Sequence, residues 1–156
     1  MGQGQRVDLK QCWIEQATRL DKQGYFSRYG PKQRAEVLRK GYIGRFRPDQ
    51  APYLAREQAK AGTAMRTPQL ADNLRTHFGL VGEEARQALM AVFDETPADA
   101  YVPPRELKDP PGTPFVYDSQ QLKCRLYVKV QVEGSEKKPR VLVWSCHPEW
   151  YGRKGE

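Results

Sequence analysis

KCRLYVKVQVEGSEKKPRVLVWSCHPEWY, residues 123 to 151, is the stretch that decides the fold. Apolar and polar residues alternate twice along it, with a turn containing Gly and Pro between the two runs, which is the pattern of two half-buried strands joined as a hairpin. From Cys124 to Val132 the even positions Cys124, Leu126, Val128, Val130 and Val132 form an apolar face. The odd positions Arg125, Tyr127, Lys129 and Gln131 form a polar one, because successive side chains of a strand point to opposite sides. The second strand is less regular: Leu142, Trp144 and Cys146 fall on one face, and Val141, Val143, Ser145 and His147 on the other. Joining the apolar faces in an antiparallel ladder places Arg125 near His147 and Tyr127 near Ser145. The expectation is an exposed sheet face bearing Arg, Tyr, Lys, Ser and His.

Working outward, Phe115, Val116 and Tyr117 read as a first short strand and DSQQ as the turn that follows it. The preceding segment holds Pro97, Pro103, Pro104, Pro110, Pro111 and Pro114, half of the chain's 12 prolines. Missing N–H donors keep it out of a helix or an inner strand, so it reads as an extended belt across the body, pinned by Tyr101 and Val102. Upstream of the belt, helices are well punctuated. Asp8 caps a stripe of Leu9, Cys12, Trp13, Ala17 and Leu20 that Gly24 ends; Pro31 opens a second helix that Gly41 closes; Asp49 caps a third running to Gly62. Thr67 and Pro68 start a fourth that buries Leu70, Leu74 and Phe78, and Glu83 to Phe93 is a fifth, with its acidic start on the favourable end of the helix dipole. The fold class is therefore α+β, with an N-terminal helical region of about five helices packed with a small C-terminal antiparallel sheet of three to four strands. Its regions are a basic helical part, 1–96, a proline-rich connector, 97–114, and a sheet part, 115–156, in one compact domain.

A chain of 156 residues is long enough to bury a real core, although 38% hydrophobic residues and a mean hydropathy of −0.81 make that core economical. No run approaches the ~18 apolar residues of a membrane span, and the first ten residues lack the apolar stretch of a secretion signal, so a soluble cytoplasmic protein is expected. Gly2 suggests myristoylation, but Arg6 stands where that motif wants Ser or Thr. The three cysteines, Cys12, Cys124 and Cys146, match no zinc spacing, and His77 and His147 are the only histidines. The expectation is no metal and no cofactor; Cys124 and Cys146, both on the apolar face of the hairpin, are expected to be buried free thiols in preference to a disulfide across it.

The formal charge of +7 is unevenly spread: residues 1 to 66 carry a net +8, residues 67 to 100 a net −4, and residues 101 to 156 a net +3. Arg28, Lys32, Arg34, Arg39, Lys40, Arg45 and Arg47 cluster against Glu36 alone, with Tyr29, Tyr42 and Phe46 interleaved. Cations neutralise phosphates and aromatics stack on bases, so the cluster suits a nucleic acid; the plainer reading is a solvated helix face whose aromatics are core. The fourth and fifth helices, joined by GLVG, have the spacing of a helix-turn-helix, but Glu83 and Glu84 with only Arg86 as a cation would repel phosphate, which favours packing against the sheet. His77, at the end of the fourth helix, reads as a C-terminal charge complement.

A helical part followed by a small antiparallel sheet ending in LYVKVQV and RVLVWSCHPEW resembles the RelE/MqsR-type ribonuclease toxins and the wider group of barnase-like, EndoU-like and colicin-type ribonucleases. The resemblance covers residues 115 to 151. It implies an exposed sheet face that binds RNA and cleaves it without metal, through attack of the 2′-hydroxyl. The residues permit that chemistry independently: His147, Tyr127, Lys129 and Arg125 contain a sufficient set of base, acid and phosphorane-stabilising cation, provided that His147 is exposed on the same face as the others. The same residues also suit an open strand that needs only solubility and edge protection. The expected partner is nucleic acid, RNA in preference to DNA, with a neutralising or target protein as a further partner and no membrane. The rival class is a non-catalytic phage- or plasmid-encoded protein that engages nucleic acid or a nucleoprotein complex through its basic helices. A third is a protein-binding surface at Trp144, Trp150 and Tyr151. A Ser145/His147 hydrolase lacks both a carboxylate partner and a nucleophile elbow, and no phosphate-binding loop is present.

Overall fold

The computed structural model describes residues 8 to 63 and 65 to 150, without the side chains of Met65 and Arg66. The readings made at Gly2, Arg6 and Tyr151 lie outside the described residues. Five helices come first: α1 (Leu9–Lys22), α2 (Pro31–Lys40), α3 (Gln50–Ala61), α4 (Pro68–Phe78) and α5 (Gly82–Glu95). The strands β2 (Gly112–Ser119), β3 (Cys124–Gly134) and β4 (Pro139–Pro148) then form an antiparallel sheet. The architecture is the expected α+β one, with one addition: the two-residue β1 (Met65–Arg66) leaves the helical part and pairs in parallel with β4, so that the sheet order is β1-β4-β3-β2.

Local chemistry accounts for most of the helix boundaries. Asp8 accepts a hydrogen bond from the Gln11 N–H, and Thr67 from the Leu70 N–H, each satisfying a donor that the first turn leaves orphaned. Pro31 and Pro68 stand where their missing N–H costs nothing. Gly41 closes α2 at φ +88, and a Cβ there would collide with Trp13, so α1 and α2 meet at a point that only glycine fits. The expected Asp49 cap is not formed. Its backbone is helical, its carboxylate pairs with Arg47, and Gln50 Oε1 instead accepts the Arg47 N–H.

Helices α3, α4 and α5 cover one face of the sheet. Ala51, Ala55, Leu70, Leu74, Leu89, Val92 and Phe93 belong to the same core as Phe115, Leu126, Val128, Val130, Val141, Val143 and Cys146. The stripe of α5 is thus turned inward and Arg86 pairs with Glu83, which agrees with packing and not with a groove-reading helix. A second, smaller core of Ala17, Phe26, Tyr29 and Val37 holds α1 to α2. The proline-rich belt joins the two cores: Tyr25 donates to the Pro103 carbonyl at 2.9 Å, Tyr29 to that of Pro104, and Trp13 Nε1 to that of Ala98 at 3.2 Å. Tyr101 bridges Phe115 on the outer edge of β2. The belt is not extended throughout, since Ala98–Ala100 forms a turn of 3-10 helix. β2 also starts at Gly112 and takes in Pro114, which an edge strand tolerates.

The hairpin forms as expected on β3, where Leu126, Val128, Val130 and Val132 are buried. On β4 the expected faces are wrong. Val128 pairs with Cys146, but Val130 pairs with Val143 and Val132 with Val141, because a bulge opposite Lys129 and Val130 leaves Trp144 as the extra residue. Both odd-numbered valines and even-numbered Cys146 belong in the core, and a strict period of two cannot bury both sets; one inserted residue changes the parity. Trp144 consequently leaves the core and its Nε1 donates to Gln131 Oε1. The register is also displaced by two: His147 lies opposite Tyr127, not Arg125, and Ser145 opposite Lys129, not Tyr127.

Candidate nucleic-acid site on the open sheet face

The ladder places Tyr127 and His147 directly across from one another, and their rings stack at 5.0 Å with an interplanar angle of 13°. The other histidine arrives from a distant part of the chain. The His77 ring lies 6.3 Å from that of His147 and 6.1 Å from that of Trp150, which is 54% exposed. What brings it there is a polar stripe on α4 at four-residue spacing, Gln69, Asn73 and His77, laid along the outer edge of β4. Gln69 Nε2 donates to Ser145 Oγ at 3.0 Å, and Asn73 Oδ1 accepts the Cys146 N–H at 3.1 Å. The stripe was visible in the sequence as three polar residues on one side of an amphipathic helix, yet His77 read there only as a charge complement.

His147 does not meet the expectation of exposure. It is 6% exposed, buried beneath its neighbours, which removes it as a solvent-facing acid or base. Its Nδ1 donates to the Pro148 carbonyl at 2.8 Å, so that Nδ1 carries the proton of the neutral ring. Burial pushes its pKa below the usual histidine value; the nearby His77 acts in the same direction, and the Pro148 carbonyl opposes both.

The two cations of the expected site diverge. Arg125 remains exposed, pairing with Asp118 on β2 at 3.4 Å and with Glu149 at 3.8 Å. Lys129 folds over Gly112 towards β2, on the opposite side of β3 from His147, where a Cβ on residue 112 would strike its Cε. It is half-buried, and burial, then the charge of Lys108, lowers its pKa while Glu106 opposes them. With His147 buried and Lys129 turned away, the exposed catalytic face expected of Arg125, Tyr127, Lys129 and His147 does not form; of the four, only Arg125 and Tyr127 remain accessible on it. Ser145 is buried and bonded to Gln69, which agrees with the absence of a hydrolase pair.

Most cations of the basic N-terminal cluster are held in ion pairs at the surface. Arg28 pairs with Glu106, Arg34 makes two bonds of 2.8 Å to the Asp21 carboxylate, Lys40 pairs with Glu36, and Arg47 pairs with Asp49. Arg45 donates to the Gly134 carbonyl at 2.6 Å. Lys32 and Arg39 stand exposed on α2. The interleaved aromatics are structural: Tyr29 is buried, Tyr42 packs edge-on against Trp13 beneath the Lys40 ammonium, and Phe46 leans on the main core. They are not the stacking platform that the interleaving suggested.

The cysteines Cys12, Cys124 and Cys146 are free, but Cys146 alone of them is buried, Cys124 being only partly so; burial pushes the Cys146 thiol far above the range in which it would ionise. Among the described residues no helix is long and apolar enough to cross a membrane. No family model matches the chain, and neither the curated proteins nor the solved structures provide a match.

Proposed function

We propose that this protein acts on RNA, and that the end of the open sheet face bearing Arg125, Tyr127 and the two histidines carries metal-independent phosphodiester cleavage like that of the toxin ribonucleases to which the sequence of residues 115 to 151 is likened. The observation that supports this reading is the convergence of the chain's two histidines, His77 from α4 and His147 from β4, beside Tyr127, with Arg125 two residues before Tyr127 on the same face of β3. Transesterification of RNA needs a group to take the 2′-hydroxyl proton, a group to protonate the departing 5′-oxygen, and a cation beside the phosphate. Imidazole, phenol and guanidinium supply those three functions within one end of the face. Lys129 has no part in it, and His147 belongs to the interior of the cluster. The half-exposed Tyr127 and the exposed Trp150 offer ring faces on which unpaired bases stack.

The test is incubation of the full chain with a single-stranded RNA oligonucleotide in EDTA, beside the same oligonucleotide carrying 2′-deoxyribose. Cleavage of the RNA alone, with a 2′,3′-cyclic phosphate terminus, is the expected result; intact RNA at every sequence tried overturns the proposal. The second reading, nucleic-acid binding through the basic helices, is supported by exposed Lys32 and Arg39. Reversal of both to Glu would flatten the salt dependence of RNA binding by about one unit of log–log slope for each phosphate that is no longer neutralised. Unchanged binding and slope would remove α2 from the interface.

A further inference from the structure

Resting on the RNA-cleaving reading, we infer that His77, and not His147, is the histidine that exchanges a proton with the substrate, and that His147 is a positioning residue which holds Tyr127 by stacking. Three observations carry this. His147 is 6% exposed whereas His77 is only partly buried, so His77 is the more accessible of the two rings. The His147 ring is already committed, stacked at 13° on Tyr127 and bonded through Nδ1 to the Pro148 carbonyl, an arrangement that fixes both its own plane and that of the phenol. The backbone that carries His77 is anchored to β4 one turn earlier through Asn73 and two turns earlier through Gln69, so the His77 ring, set between those of His147 and Trp150, rests on a rigid support and not on a loop.

In the reaction that follows, the His77 imidazole takes the proton of the 2′-hydroxyl, the 2′-oxygen bonds to phosphorus, and the bond from phosphorus to the 5′-oxygen breaks. The Tyr127 hydroxyl gives its proton to the departing 5′-oxygen. Arg125 faces the charge that builds on the phosphate, and a water returns the proton from imidazolium to phenolate. Atoms and charge balance without oxidant, reductant or metal. The products are a 2′,3′-cyclic phosphate and a 5′-hydroxyl.

The experiment compares His77→Gln, His77→Ala and His147→Ala in the full chain on the same RNA, measuring single-turnover cleavage, RNA affinity and thermal melting. Both His77 substitutions are expected to lower cleavage by about two to four powers of ten, the range for removal of one acid or base, with RNA affinity and melting nearly unchanged. Imidazole added to the buffer should restore cleavage to His77→Ala, because the vacated site is open to solvent. It should not restore His147→Ala, whose defect would be a displaced Tyr127. Wild-type cleavage by His77→Gln, or rescue of His147→Ala in place of His77→Ala, would overturn the role given to His77 while leaving RNA cleavage by the face standing. An inactive wild-type chain would overturn both readings together.

Discussion

The two faces of the sheet are made by the same strands and obey different rules. On the face covered by helices, identity is set by transfer from water: Leu126, Val128, Val130, Val141 and Val143 are all apolar, all buried, and interchangeable in kind. On the open face, identity is set by individual pairings: Arg125 to Asp118 and Glu149, Tyr127 to His147, Trp144 to Gln131, Ser145 to Gln69. A covered face is specified by composition and period, whereas an open face is specified by register. A shift of two residues would leave the first almost unchanged and would dismantle the second.

The largest effect should come from the covered face. Leu126→Ala removes a fully buried side chain at the centre of the main core and should cost about 2 to 5 kcal/mol, read as a fall in the denaturant midpoint with an unchanged slope. A cost below about 1 kcal/mol would mean that the helices do not seal this face. Next comes the polar exception within the covered side. Glu95, at the end of α5, accepts from the Tyr117 hydroxyl at 2.9 Å, from Ser119 Oγ, and from the N–H groups of Gln120 and Gln121 at 3.0 and 3.2 Å. Tyr117 and Ser119 are both buried, so Glu95→Ala leaves donors with little access to water and should cost about 1 to 3 kcal/mol. A neutral outcome would show the turn after β2 to be held by its backbone alone.

Trp144 separates what was legible in the sequence from what was not. The apolar face of β3, the capping by Asp8 and Thr67, and the inward stripe of α5 all follow from strict periods and local hydrogen bonds, and the structure repeats them. The run Val141-Leu142-Val143-Trp144 is apolar at both parities, and that was the one available sign that period two fails there and that a bulge intervenes. Reading the run as a regular strand put Trp144 in the core; the separate displacement of the register by two moved His147 from Arg125 to Tyr127 and Ser145 from Tyr127 to Lys129. The meeting of His77 with His147 was not legible at all, because it depends on α4 lying against the edge of β4 and no local pattern records that packing. The pairing of Arg28 with Glu106, 78 residues away, escaped for the same reason. Trp144→Ala should therefore cost only about 1 kcal/mol, the price of a half-buried ring and one hydrogen bond. A loss equal to that of Leu126→Ala would put the bulge elsewhere and restore the regular strand.

The smallest expected effect sharpens the comparison at the point where the two faces are hardest to distinguish, because His147 sits on the open face and is nonetheless buried. Its folded-state pKa is lowered, first by burial and then by His77, so the folded chain resists a proton that the unfolded chain accepts. Above the ordinary histidine pKa of about 6.5 both states are neutral and the group adds no pH dependence. As pH falls through that value towards the folded-state pKa, the unfolded state binds the extra proton and stability is lost. Two titratable groups that stand beside the ring are His77 on α4 and Tyr127 on β3, and neither is altered by His147→Gln. Unfolding free energies measured at pH 7.5 and 5.5 should therefore fall more steeply for the wild type than for His147→Gln, by a margin smaller than any of the three substitution effects above. Equal falls would mean that the ring is reached by water and that the open face extends over both histidines, and a shallower fall in the wild type would mean that an acceptor or anion beside the ring stabilises protonated His147.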